Sequence, residues 1–280
     1  MPKVGIIIRT STRYLFFERT LEDIKKQTFK DWMMIIVNDG GELERIRDLL
    51  VKHEIPKGQY ILLHSDENNG LHKAINIGAK AVEEPFVIVH DDDDTWDSRF
   101  LELTIAYLEE RTECKGLITH SSKIYEKIEH NQIKKIKEKP FNHQLKGVLS
   151  LYDMIKNNLY SPISFIYRSE VYREIGYFDE SLEVLEDWEF NLRFMMHYDI
   201  QVLEEVLAYY HIRKQTDIQE SFKNTIIDKK ALHEKYDTII RNRYLRKDLE
   251  EGKVGLGVMM NLLKWSDGKI LAKLKKYIKR

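Results

Sequence analysis

The chain has 280 residues, enough for one large domain or for a domain with an appendage. Hydrophobic residues make up 42% and charged residues 32%, and 45 basic against 46 acidic residues leave a net charge of −1, so no bulk field draws the chain to nucleic acid and electrostatic recognition has to be local. The single cysteine, Cys114, excludes an intramolecular disulfide and a cysteine-rich zinc site and fits a reducing, cytoplasmic compartment.

The opening MPKVGIIIRTS does not read as a signal peptide, because its apolar stretch is only Val4 to Ile8 and stops at Arg9. No later run approaches the roughly 20 apolar residues that cross a bilayer. KVGIII predicts a buried strand, and YLFFERTLEDIKKQ carries Phe17, Leu21 and Ile24 at helical spacing. WMMIIV predicts a second strand closed by the turn NDGG, and RIRDLLVKH a helix. QYILLHS predicts a third strand, GLHKAINIGAKAV a helix after a glycine, PFVIVH a fourth strand and SRFLELTIAYLEE another helix. Strand–helix alternation with uninterrupted apolar strands predicts an α/β fold, a mostly parallel, Rossmann-like sheet flanked by helices. In such sheets ligands bind outside the carboxyl ends of the strands, and IRTST, NDGG and HDDDD all fall there.

Farther along, LITHSSKIYEKIEHNQIKKIKEK is polar with a turn-like centre and reads as a hairpin. NLYSPISFIYRSEVYREIGYFDESL mixes a strand, a short helix and a turn, and EDWEFNLRFMMH is a helix with Trp188, Leu192 and Met195 on one side. IQVLEEVLAYYHIR supplies one or two closing strands. Sheet signals stop there, which predicts a domain over 1–213 and a helical, basic extension over 214–280. The last stretch, LLKWSDGKILAKLKKYIKR, has seven basic residues against one acidic, with Ile270, Leu271, Leu274, Tyr277 and Ile278 at helical spacing. That pattern suits peripheral contact with an anionic membrane surface, and equally a helix packed on the domain or on a second copy in a homodimer.

The aspartates Asp91 to Asp94 follow the fourth strand directly. An acidic surface turn is the ordinary account of such a run, but here it sits at the ligand-binding edge of the sheet. In an extended loop the alternate residues Asp91 and Asp93 point the same way, and clustered hard oxygens suit Mg²⁺ or Mn²⁺ with positions left open for a diphosphate.

Taken in order, VGIIIRTSTR, QTFKDWMMIIVNDGG, NNGLHKAINIGA, VIVHDDDDTW, SPISFIYRSEVYREIGYFDESL and LEDWEFNLRF make the chain resemble the family 2 glycosyltransferases from Lys3 to about Arg213. The resemblance implies the GT-A fold, inverting transfer from a UDP-, dTDP- or GDP-sugar, a Mn²⁺ or Mg²⁺ ion, and a glycan or lipid-linked acceptor in surface-polysaccharide assembly. It places Arg9 and Thr10 in the loop framing the nucleoside, with Ser11 and Arg13. Ser11 and Thr12 stand where relatives often have Tyr-Asn, so an aromatic partner for the base is missing. It makes Asp39 the acceptor of a hydrogen bond from the base and sets Asn69, Gly70 and Lys73 beside the donor. Asp91 becomes a ribose and metal contact, Asp92 a support on the donor side and Asp93 the direct metal ligand. His211 is a further metal or phosphate contact. In the Glu186–Asp187 pair, Asp187 is the general base and Glu186 its support.

Two other classes share some of these features. A nucleotidyltransferase would share the sheet and the metal, but the loop after its first strand is usually glycine-rich and RTSTR has no glycine; the P-loop pattern is absent as well. A non-catalytic subunit that binds a sugar nucleotide would tolerate loss of Asp93 or Asp187, and both are present.

Overall fold

The computed structural model describes residues 2–129, 132–213 and 230–264. Four strands, β1 (Val4–Thr10), β2 (Trp32–Asp39), β3 (Tyr60–Ser65) and β4 (Phe86–Asp91), pair in parallel in the order β3-β2-β1-β4. Helices α1 (Tyr14–Lys26), α2 (Leu43–Lys52) and α3 (Leu71–Lys80) connect them. Every residue of β1 is buried, as an uninterrupted apolar strand covered on both faces requires. Alternation along the strand then divides the core. Ile6 and Ile8 face Phe17, Leu21 and Ile24 of α1 and Ile46 and Leu50 of α2, whereas Ile7 faces Ile75 and Ala79 of α3.

Among the described residues, nine strands form one sheet. After β5 (Thr95–Trp96) and α4 (Phe100–Glu110), the long strand β6 (Gly116–Glu129) turns back as β7 (Gln132–Pro140). This is the hairpin read from the sequence, antiparallel with Ile128 opposite Ile133. Helix α5 (Leu151–Lys156), β8 (Phe165–Arg168), α6 (Tyr172–Ile175), α7 (Glu186–Met195) and β9 (Ile200–Arg213) follow. The sheet continues as β4-β8-β6-β9-β5, with β8 antiparallel to both neighbours and β9 parallel to β6. The closing segment is thus a single strand, with register shifts between Thr119 and Ser121.

Beyond the sheet, α8 (Lys230–Glu250) and a helical stretch at 256–264 bring Tyr236, Ile240 and Met260 into the same core as Trp188, Leu192 and α3. The basic amphipathic pattern from Ile270 to Ile278 lies outside the described residues. Among the described residues no helix is long and apolar enough to cross a membrane.

Candidate active site

Parallel register aligns the strand ends. Thr10 stands beside Asn38, Asp39 beside Ser65, and Arg9 beside Asp91. The loops leaving this edge are held by close backbone packing. A Cβ on Gly41 would lie 2.2 Å from the Ser11 carbonyl oxygen, and one on Gly40, at φ +80°, would lie 2.9 Å from the Asn68 amide nitrogen. Buried Asp39 completes the clamp, accepting hydrogen bonds from the Asn69 amide (2.8 Å), the Asn69 side chain (3.0 Å) and the Gly70 amide (3.0 Å). Gly70, at φ +90°, opens α3 in a conformation that disfavours side chains, and Lys73 is exposed on the first turn of that helix. Asp39, Asn69, Gly70 and the Ser11 backbone therefore form one continuous rim.

The four aspartates divide by alternation. Asp92 and Asp94 are buried, and Asp91 and Asp93 are partly exposed above them. Guanidinium groups surround them. The Nε of Arg9 donates to Asp91 Oδ1 at 2.9 Å, and its Nη1 reaches Glu186 Oε1 at 3.4 Å. Arg9, at the end of β1, ties the aspartate loop to the start of α7. Arg13 donates to Asp93 Oδ2 at 2.9 Å and pairs with Asp92. Arg213 also donates to Asp93 Oδ2, lies 4.4 Å over the Phe16 ring and reaches Glu126 at 3.4 Å. Arg19 donates to the Asp93 carbonyl and, at 2.9 Å, to Glu126.

These surroundings set the charges. Burial pushes the Asp92 carboxyl up to about 6 against the pull of Arg13, and burial with the neighbouring Asp93 raises Asp94 well above the usual range. Burial works on Asp93 in the same direction, but Arg13 and Arg213 outweigh it and hold Asp93 below the usual range.

His211 makes hydrogen bonds within the protein through its amide and both ring nitrogens. Its amide donates to Asp94 at 2.8 Å, Nδ1 lies 2.7 Å from Glu126 Oε2 and Nε2 lies 2.8 Å from Thr95 Oγ1. Among the described residues no group of three His, Cys, Asp or Glu side chains is arranged to hold a metal. The donor set still fits an open site. The arginine hydrogen bonds fall on Oδ1 of Asp91 and Oδ2 of Asp93, which leaves a second hard oxygen on each for a cation that draws its other ligands from a diphosphate and water.

On the other side of Arg9, Leu185 adopts φ +66° and opens α7 with the Glu186–Asp187 pair. Asp187 accepts from Asn158 Nδ2 at 2.6 Å and from the Trp188 amide at 2.8 Å, while Asn191, one turn along, donates to Asn158 Oδ1 at 3.2 Å. Burial, then the adjacent Glu186 charge, pushes Asp187 up to about 7. A cavity of about 260 Å³ shares Asn158 with this group and is lined also by Leu185, Trp188, His233 and Lys264.

The residues that sequence reading missed are Arg19, Glu126, Arg213 and Asn158. For Glu126 a signal existed, since it continues the buried alternation of Ser122 and Ile124 in β6. Asn158 gave none, because its partner lies 29 residues away.

The sequence model of glycosyl transferase family 2 matches residues 5–176 of the chain. YwdF, an uncharacterized glycosyltransferase of Bacillus subtilis, is 28% identical over 71% of this chain and 70% of its own length. The teichoic acid poly(glycerol phosphate) polymerase of Staphylococcus epidermidis is 29% identical over 70% of this chain but only 26% of its own length. The structure of S. aureus TarS 1-349 in complex with UDP-GlcNAc superposes with a TM-score of 0.58 at 20% identity, covering 76% of this chain and 60% of that one. At that identity the likeness is one of fold.

Proposed function

The chain belongs to glycosyl transferase family 2 and is a glycosyltransferase, and on that premise we propose that it transfers a sugar, with inversion, from a nucleotide-diphosphate donor to a hydroxyl of a glycan or lipid-linked acceptor. The observation that carries this reading is the span of Arg9. One buried guanidinium touches both Asp91, at the donor end of β4, and Glu186, beside Asp187 at the start of α7. Segments about 95 residues apart in sequence are thus tied together by one side chain, which supports a donor side and an acceptor side within one crevice.

In this reading the nucleoside lies along the rim of Asp39, Asn69, Gly70 and Ser11, and Thr10 and Lys73 flank it. A divalent ion held by Asp93 and Asp91 would supply Lewis-acid neutralisation of the leaving diphosphate. Asp187 accepts the proton of the acceptor hydroxyl as that oxygen bonds to the anomeric carbon and the bond to the diphosphate breaks. Asn158 and the Trp188 amide orient the carboxylate. Glu186, compensated by Arg9, supports it. The acceptor approaches from the Asp187 side, where the Asn158 cavity lies. The name of the teichoic acid polymerase relative supports a place in cell-surface polymer synthesis.

The test is a thermal-shift panel of UDP-, dTDP- and GDP-sugars with Mn²⁺, followed by measurement of released nucleotide. At least one donor is expected to raise the melting temperature and to be slowly hydrolysed, and Asp93→Ala is expected to lose both effects. A panel with no stabilising donor would sink the reading.

A further inference from the structure

We propose that Asp93 is an exchange point: without donor it holds the guanidiniums of Arg13 and Arg213, and when it takes a divalent cation those two guanidiniums turn to the donor's diphosphate. The inference rests on the donor reading above and adds the residues that receive the diphosphate and the order of events around them.

The geometry of the pairs carries the argument. Arg13 and Arg213 come from opposite sides, one from the loop after β1 and the other from the end of β9, and both donate to the same oxygen, Oδ2 of Asp93. A cation on Asp93 would stand next to two positive charges, and like charges at this range repel. Binding of the metal alone is therefore opposed. A diphosphate between the metal and the two guanidiniums turns that repulsion into attraction, because it gives both sides an anion to share.

Each arginine is also built to remain in the site after leaving Asp93. Arg13 keeps its pair with Asp92, and Arg213 keeps its reach to Glu126 and its place over the Phe16 ring. Arg19 has a different part. It is fixed by Glu126 and by the Asp93 main-chain carbonyl, so it holds the loop rather than competing for the carboxylate. Among the described residues the buried Nε of Arg19 has no hydrogen-bond partner, which adds polar capacity to the same crevice.

The consequence is reciprocal coupling: cation and diphosphate each bind weakly alone and tightly together, by the same factor in either order. Inorganic pyrophosphate tests this without knowledge of the base or the sugar. Mn²⁺ binding is followed by electron paramagnetic resonance or calorimetry, with and without pyrophosphate, in wild type, Arg213→Gln, Arg13→Gln and Asp93→Asn. In wild type, pyrophosphate is expected to tighten Mn²⁺ binding by roughly 5- to 150-fold. In either arginine variant Mn²⁺ alone should bind more tightly than in wild type, and the gain from pyrophosphate should shrink. These opposite signs separate exchange from simple damage, which would weaken both. Arg213 is buried and its variant risks misfolding, so Arg13→Gln, on the more exposed loop, carries the test if Arg213→Gln does not fold. Mn²⁺ binding that depends on Asp93 but is unchanged or weakened in Arg13→Gln overturns the exchange and leaves the donor reading standing. No Mn²⁺ binding by wild type, even with pyrophosphate, overturns the exchange and the metal assignment together.

Discussion

Asp187 and Glu186 are adjacent in sequence and sit in different environments. Asp187 is pushed up to about 7 by burial and by the charge of Glu186, whereas Glu186 faces the Arg9 guanidinium. A base has to be ionised to work, so transfer should fall as pH drops through a limb near 7. Glu186→Gln removes a like charge, lowers the Asp187 pKa and should move that limb to lower pH. Asn158→Ala removes a hydrogen bond that favours the anion and should move it to higher pH. Asp187→Asn should reduce transfer by about 10²–10⁴-fold while nucleotide affinity changes little. Transfer assays across pH 5.5–9 (roughly a unit and a half or more either side of the limb) check all three, and a limb that stays in place in both supporting variants would mean that another group titrates. The Glu-Asp pair was visible in the sequence because its motif is local. The environment that divides the roles was not, since Arg9 and Asn158 arrive from distant segments.

Elements that carry their own burial pattern could be read directly, and those held by distant neighbours could not. The strands β1, β2 and β4 are apolar runs, and α1 and α3 show helical spacing, so the strand ends that carry the proposed donor side followed from local signals. Strand β5 has two residues and α5 has six, too short for periodicity to speak; they exist because β9 and α7 receive them. The glycines draw the same distinction between site and scaffold. Gly41→Ala sets a methyl 2.2 Å from the Ser11 carbonyl oxygen and 2.4 Å from Asn38 Oδ1, so the loops of the donor rim must separate. Nucleotide affinity should fall by about 10-fold or more, which is roughly 1.4 kcal/mol. Gly116→Ala instead meets the Phe194 and Phe165 rings at 2.7 and 2.9 Å, inside the core. Overpacking there costs about 1–3 kcal/mol, so its urea midpoint should drop while nucleotide affinity per folded molecule holds. Calorimetry and urea titration of the two variants give the comparison, and the same loss of affinity in both would deny that the donor rim is a separate packing unit.

At the scale of the whole molecule, the change in composition after Arg213 reads as a boundary, yet the helices beyond it share a core with the site. The buried face of α8 is narrow, with Tyr236, Ile240, Arg241 and Asp248 among charged residues, and so narrow a stripe gives little warning of docking. Arg241 is the centre of the contact. It pairs with Asp237 at 2.9 Å, donates to the Met260 carbonyl at 2.8 Å and to the Lys156 carbonyl at 3.1 Å, and lies 5.1 Å over the Trp188 ring. One side chain therefore links α8, the 256–264 helix, the end of α5 and the residue that follows the proposed base. Arg241→Ala leaves two carbonyls and Asp237 without this partner, at a cost of about 1–3 kcal/mol for each buried group left unsatisfied. It also frees Trp188, whose amide orients Asp187, so transfer should weaken while nucleotide affinity is retained. The full chain should unfold in urea as one transition, and Arg241→Ala should shift that whole transition to lower urea. Two separate transitions, with only the weaker one moved by Arg241→Ala, would show that the C-terminal helices fold apart from the catalytic half and that their packing does not reach the base.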